Sequence, residues 1–171
     1  MYPSIIPLIL FALSSTATAV TCNDSALQPV TAASDRYSVD SSNEVVTDNH
    51  TGLMWKLCSE GQSGSDCATG SEQTYTWQGA LQQAQNSAFA GYDDWRLPSI
   101  KELLTLVETC RTNPSINTEI FPATRASYFW SSSPYALNSV LAWRVDFGHG
   151  YSFHYGYRDN NYYVRLVRSG Q

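Results

Sequence analysis

The run from Asp146 to Asn161, DFGHGYSFHYGYRDNN, constrains this chain more than any other stretch. It is built from Tyr, His, Asn, Asp, Ser and Gly, with Phe and a single Arg, and holds no Lys, Glu, Gln, Met or Trp. Tyr favours strands, so Ser152–Tyr157 reads as a strand or an irregular excursion between turns at Gly148–Gly150 and Arg158–Asn161. Two readings follow. Tyr gives a large, rigid contact area at low entropic cost, and small polar neighbours adapt their hydrogen bonds, which is what a recognition surface uses. The same run also suits an ordinary aromatic hairpin with half-buried tyrosines. Composition leaves both open. In either case the preceding chain is the scaffold, and Tyr162–Val167 closes the domain as an alternating strand flanked by Arg165 and Arg168.

The scaffold is long enough for one domain with a real core, at 171 residues. A net charge of −5 without a basic block argues against nucleic acid or an anionic membrane as partner. Residues 5–13 (IIPLILFAL) are too short to span a bilayer. They are followed by small residues ending at Ala17–Ala19. Residues 1–19 therefore read as a secretory signal peptide, cut after Ala19, although no Lys or Arg precedes the apolar run. The expected location is outside the cytoplasm: cell surface, periplasm or medium. Cys22 raises a lipoprotein reading, but Ala19, Val20 and Thr21 make a poor lipid-attachment site. Four cysteines remain, Cys22, Cys58, Cys67 and Cys110, and an even number in an exported chain predicts two disulfides. Cys58 and Cys67 bracket a Gly/Ser loop that lets them meet, which leaves Cys22 with Cys110. A zinc site is the alternative, but there is no CxxC, and His50, His149 and His154 are scattered.

Residues 20–43 read as an extended N-terminal segment, with a strand candidate at Tyr37–Val39. Residues 44–171 read as the domain proper. Glu44–Val46 and Leu53–Leu57 form a hairpin across the turn cluster Asp48–Gly52. Thr76 caps a helix starting at Trp77, with Ala80, Leu81 and Ala84 on one face and Gly91 as its stop. Ser99 and Glu102 have capping-box spacing. They open a second helix with a buried stripe of Ile100, Leu103, Leu104, Val107 and Cys110, broken at Asn113-Pro114. Tyr128–Ser132 and Val140–Phe147 are strands, with a loop at Ser133–Ser139 between them. Helices in the middle with short strands on both sides make an α+β domain.

Five blocks occur in order: TGLMW (Thr51–Trp55), AGYDDWRLPSIKEL (Ala90–Leu103), FWSSSPY (Phe129–Tyr135), AWRVDF (Ala142–Phe147) and VRLVR (Val164–Arg168). Together they resemble the Lcl C-terminal-like domain family of exported bacterial proteins, over roughly residues 44–168. The resemblance implies a C-type-lectin-like fold, related also to formylglycine-generating-enzyme-like domains, in proteins of adhesion and surface binding. The C-terminal third also resembles the variable region of proteins diversified by adenine-mutating retroelements, placed at about residues 128–163. Residues 146–161 are of types reachable from Asn codons by changing adenines alone.

Enzyme chemistry is not expected. Formylglycine-generating enzymes use a C-terminal cysteine pair, and no cysteine follows Cys110. His149 and His154 have no useful strand spacing, Ser131–Ser133 lacks a nucleophile-elbow pattern, and the acidic residues are dispersed against the needs of calcium. No metal, cofactor or catalytic residue is assigned. The expected ligand-binding face is Tyr135, Asn138, Ser139, His149, Tyr151, Ser152, His154, Tyr155, Tyr157, Asp159, Asn160 and Asn161. Its partner would be a protein or glycan, on another cell surface. The tryptophans (Trp55, Trp77, Trp95, Trp130, Trp143) are assigned mainly to the core. Arg96, Arg165 and Arg168 are assigned to polar networks with carboxylates such as Asp94 or Glu102.

Overall fold

The computed structural model describes residues 36–170. The proposed signal peptide, most of the N-terminal extended segment and Cys22 lie outside the described residues. The rest is a mixed, strand-rich fold with two short helices. One sheet runs β1 (Tyr37–Asp40), β2 (Val45–Asp48), β3 (Leu53–Lys56) and β11 (Val167–Ser169), all antiparallel. The β2–β3 hairpin turns where expected, because buried Asp48 accepts from the His50 and Thr51 backbone and from Thr51 Oγ1. A short ladder of β4 (Gln62–Ser63) and β5 (Thr69–Gly70) follows. β4 lies within the loop closed by the Cys58–Cys67 disulfide, whose Cα atoms are 5.4 Å apart, and β5 lies just past it. Cys110 is also disulfide-bonded.

β6 (Thr74–Tyr75) leads into α1 (Trp77–Gln85), and the expected cap is present: Thr76 Oγ1 accepts from the Gly79 N–H. α1 stops before Gly91, however. Asn86 caps it, and Gly91 instead serves a tight turn closed by mutual Phe89–Tyr92 backbone bonds. α2 (Ile100–Leu104) starts with the full Ser99–Glu102 capping box but is shorter than its apolar stripe promised. After Leu104 the backbone tightens: Leu106 bonds to Leu103 and Val107 to Leu104. Such i→i+3 bonds do not propagate a long helix. Val107 is still buried, held on a turn, while Cys110 is exposed.

The second sheet runs β6, β10 (Tyr162–Tyr163), β7 (Tyr128–Pro134), β8 (Leu141–Asp146) and β9 (Tyr151–Tyr157). The C-terminal strand expected at Tyr162–Val167 is therefore split. Tyr162–Tyr163 belongs to the second sheet and Val167–Ser169 to the first, and Val164–Leu166 crosses between them wholly buried. Burial on every side removes the alternation. Two apolar clusters flank this crossing. One gathers Trp55, Leu57, Leu103, Phe121, Phe129, Val145 and Phe147; the other gathers Ala80, Ala84, Trp95, Leu97, Trp130, Val164 and Leu166.

Candidate ligand-binding face

The face is built on an irregularity in the β8–β9 ladder. Ala142 opposes Gly156 and Arg144 opposes Phe153. Between those pairs β8 has one residue, Trp143, while β9 has two, His154 and Tyr155. This is a β-bulge, which bends the strand and re-aims its side chains. The His154 and Tyr155 rings lie 3.8 Å apart, Tyr135 stacks on His154 at 4.4 Å, and Trp143 sits 5.3 Å from His154. Residues far apart in sequence thus form one ring cluster.

β9 is the outer strand of its sheet, and Tyr151, Tyr155 and Tyr157 are 64%, 59% and 60% exposed. Three tyrosines exposed to this degree on one outer strand offer a large amphipathic area for contact. The strand is held from behind. Phe153 meets Tyr128 edge-on at 6.3 Å, and the Arg144 guanidinium lies 3.8 Å over the Tyr128 ring. At Gly156 an added Cβ would come 2.5 Å from Trp130.

The remaining expected residues divide. Ser152 is half-buried opposite Val145. Asn138 is exposed, and its Oδ1 accepts from the Val140 N–H, so its side chain shapes the β7–β8 turn. His149 lies in the turn before β9 with Nδ1 2.9 Å from Asp146 Oδ2, apart from the ring cluster around His154. Asn160 donates to the Tyr162 hydroxyl, and Asn161 is exposed beside it. Ser139 and Asp159 are not on the ring cluster; they line a separate cleft with Trp77 and Arg158. Among the described residues, no three of His, Cys, Asp and Glu gather in metal-site geometry.

Trp143 is a correction. Trp55, Trp95 and Trp130 are core residues, but Trp143 is half-exposed and belongs to the ring cluster. Nothing in the alternation of β8 marks it, because the bulge that recruits it lies on the neighbouring strand. Trp77 is also only partly buried. Arg165 is the other correction, since among the described residues its hydrogen bonds go to carbonyls and hydroxyls and to no carboxylate. Arg96 and Arg168 do hold the expected carboxylates, Glu102 and Asp94.

Residues 44–168 match the model of the family described as Lcl C-terminal domain. The chain belongs to that family. The Lcl C-terminal domain match begins just before β2 and ends within β11, so it takes in the second sheet, the first sheet apart from β1, and the whole ring cluster. A comparison with curated proteins finds no match.

Proposed function

We propose that this Lcl C-terminal domain is an exported ligand-binding module on a C-type-lectin-like scaffold, without catalysis, whose recognition face is the outer strand β9 with Tyr135 and Trp143. The observation that carries the reading is the bulge-centred cluster of Tyr135, Trp143, His154 and Tyr155 beside exposed Tyr151 and Tyr157. Tyr and Trp supply rigid contact area, and the His, Ser and Asn around them supply directional hydrogen bonds. The Cys58–Cys67 disulfide favours an oxidising compartment. The ligand is a protein or glycan presented on another cell. On the same reading the tyrosine-rich stretch is varied by a retroelement. A near-copy of its coding DNA downstream, differing at adenines and accompanied by a reverse transcriptase, is the expected genomic context; without one, the face is that of a fixed-specificity adhesin.

The direct test replaces Tyr151, Tyr155 and Tyr157 together by Ser. Binding is read on a glycan array and on intact bacterial and host cells, and stability by thermal melting. The expected result is loss of the wild-type binding pattern with a melting temperature changed by no more than about 3 °C, since exposed sites contribute little to stability. A fall of ten degrees or so would show that these tyrosines hold the fold together instead.

A further inference from the structure

A second site lies away from the ring cluster. Between the first turn of α1 and the turn after β9 is a cleft of about 370 Å³. Trp77, Leu81 and Val140 give it apolar lining; Ser139, Arg158 and Asp159 give it polar lining. Arg158 is tethered at its backbone, at Nε and on one face of its guanidinium. Its backbone N–H donates to Val140 O at 3.0 Å, and its carbonyl accepts the Trp77 N–H at 2.9 Å. Its Nε–H donates to Leu141 O at 3.2 Å, and its guanidinium lies 4.1 Å over the Trp77 ring.

The two terminal nitrogens of that guanidinium have no acceptor among the described residues. The contrast with Arg36, Arg96, Arg111, Arg125 and Arg168 is sharp, because each of those pairs with a carboxylate. Asp159, though adjacent in sequence, forms no ion pair with Arg158 among the described residues. The fork is thus fixed in place, beside an apolar surface, with its strongest donors uncommitted.

We propose that this cleft binds a ligand carrying one carboxylate, held by the Arg158 fork, with its apolar body on Trp77, Leu81 and Val140. The planar guanidinium matches a carboxylate with two parallel hydrogen bonds. Its tethers remove most of the rotamer entropy that a free arginine loses on binding. Asp159 on the same lining repels additional negative charge, so a monoanion fits better than a phosphate or a polyanion. A carboxylate of this kind comes either from a small organic acid or from a polypeptide C-terminus.

The test is a ¹⁵N NMR titration of the full chain, following the Trp77 indole N–H and the Arg158 Nε–H. The probes are N-acetyl-leucine, N-acetyl-leucinamide and an N-acetylated pentapeptide ending in leucine with a free carboxylate. N-acetyl-leucine is expected to shift both signals saturably, with the amide at least about tenfold weaker, because a charge-assisted bond is lost. Arg158→Lys keeps charge and ring contact but not the fork, and should weaken binding about tenfold. Val140→Asp, at a residue 53% exposed, should weaken it similarly through repulsion while leaving the melting temperature unchanged. Tighter binding of the pentapeptide identifies a polypeptide terminus as the source; equal binding identifies a small acid. Equal titration by acid and amide, wild-type affinity in Arg158→Lys, or no saturable shift with any probe would overturn the proposal.

Discussion

At the scale of single residues, the arginines decide how the two sheets are joined. Arg165 is wholly buried on the crossing between β10 and β11, and burial pushes its guanidinium down to about 10. It remains charged at neutral pH, held by the carbonyls of Lys56 and Leu57 and the hydroxyls of Ser59 and Thr124. A buried cation needs such a set, because an unpaired charge in the interior costs several kcal/mol. Arg96 does a different job. Its backbone exchanges two hydrogen bonds with Val167, and its side chain grips both oxygens of Glu102 at 2.8 and 2.6 Å. That grip, with the Ser99 cap bonds, holds the Glu102 carboxyl down at about 2, against an ordinary value of 4.5. A lowered carboxylate stabilises the fold above its unfolded-state value, and the contribution disappears as pH falls from 4.5 toward 2. Glu102→Gln is therefore expected to flatten the fall of melting temperature across that interval, measured by circular dichroism. The pair is partly exposed, so solvent screening keeps the effect small.

At the scale of elements, β9 depends on a glycine in a way its composition did not advertise. Gly156 sits where the Trp130 ring and the Ala142 carbonyl would lie 2.5 and 2.8 Å from an added Cβ. Gly156→Ala should cost about 1–3 kcal/mol in urea unfolding, because the indole is fully buried and cannot yield without disturbing its cluster. Much of the element order was legible from the sequence. The Thr76 and Ser99 caps, the Asp48–Gly52 turn and the strands around Trp55, Trp130 and Trp143 rest on local chemistry that short-range rules read well. The misses come from tertiary context. α2 ends early because its last bonds tighten, Val164–Leu166 loses its alternation because both sides are buried, and two-residue strands such as β4 and β5 carry no period to detect. The site shows the same division. The exposed tyrosines lie in the run that composition singled out, although composition left their burial open; Trp143 and the grouping of Tyr135 with His154 depend on a bulge that no single strand encodes. The Arg158 cleft joins α1 to residues some eighty positions away, a proximity that only the fold creates.

At the scale of the whole molecule, the question is what keeps a strand-rich domain with short elements rigid enough to hold exposed tyrosines in fixed positions. Helix contributes little, since α1 and α2 together span few turns. Among the described residues, long-range ties include the crossing at Val164–Leu166 and the Arg96–Val167 bridge, and the Cys58–Cys67 disulfide adds a local staple. The disulfide staples the segment leaving β3, and both its cysteines are buried in the cluster containing Trp55 and Phe129. Two carbonyls that hold Arg165, those of Lys56 and Leu57, immediately precede Cys58. Loosening that segment removes loop closure from the unfolded chain's constraints and also frees part of the buried cation's ligand set. Cross-linking so short a loop stabilises by roughly 2–3 kcal/mol through chain entropy. The double replacement Cys58→Ala/Cys67→Ala should therefore destabilise by at least that amount in urea unfolding. Adding Arg165→Met should cost less than the sum of the two separate effects, because both act on one segment. Strict additivity would show that the disulfide and the arginine stabilise independent parts of the fold.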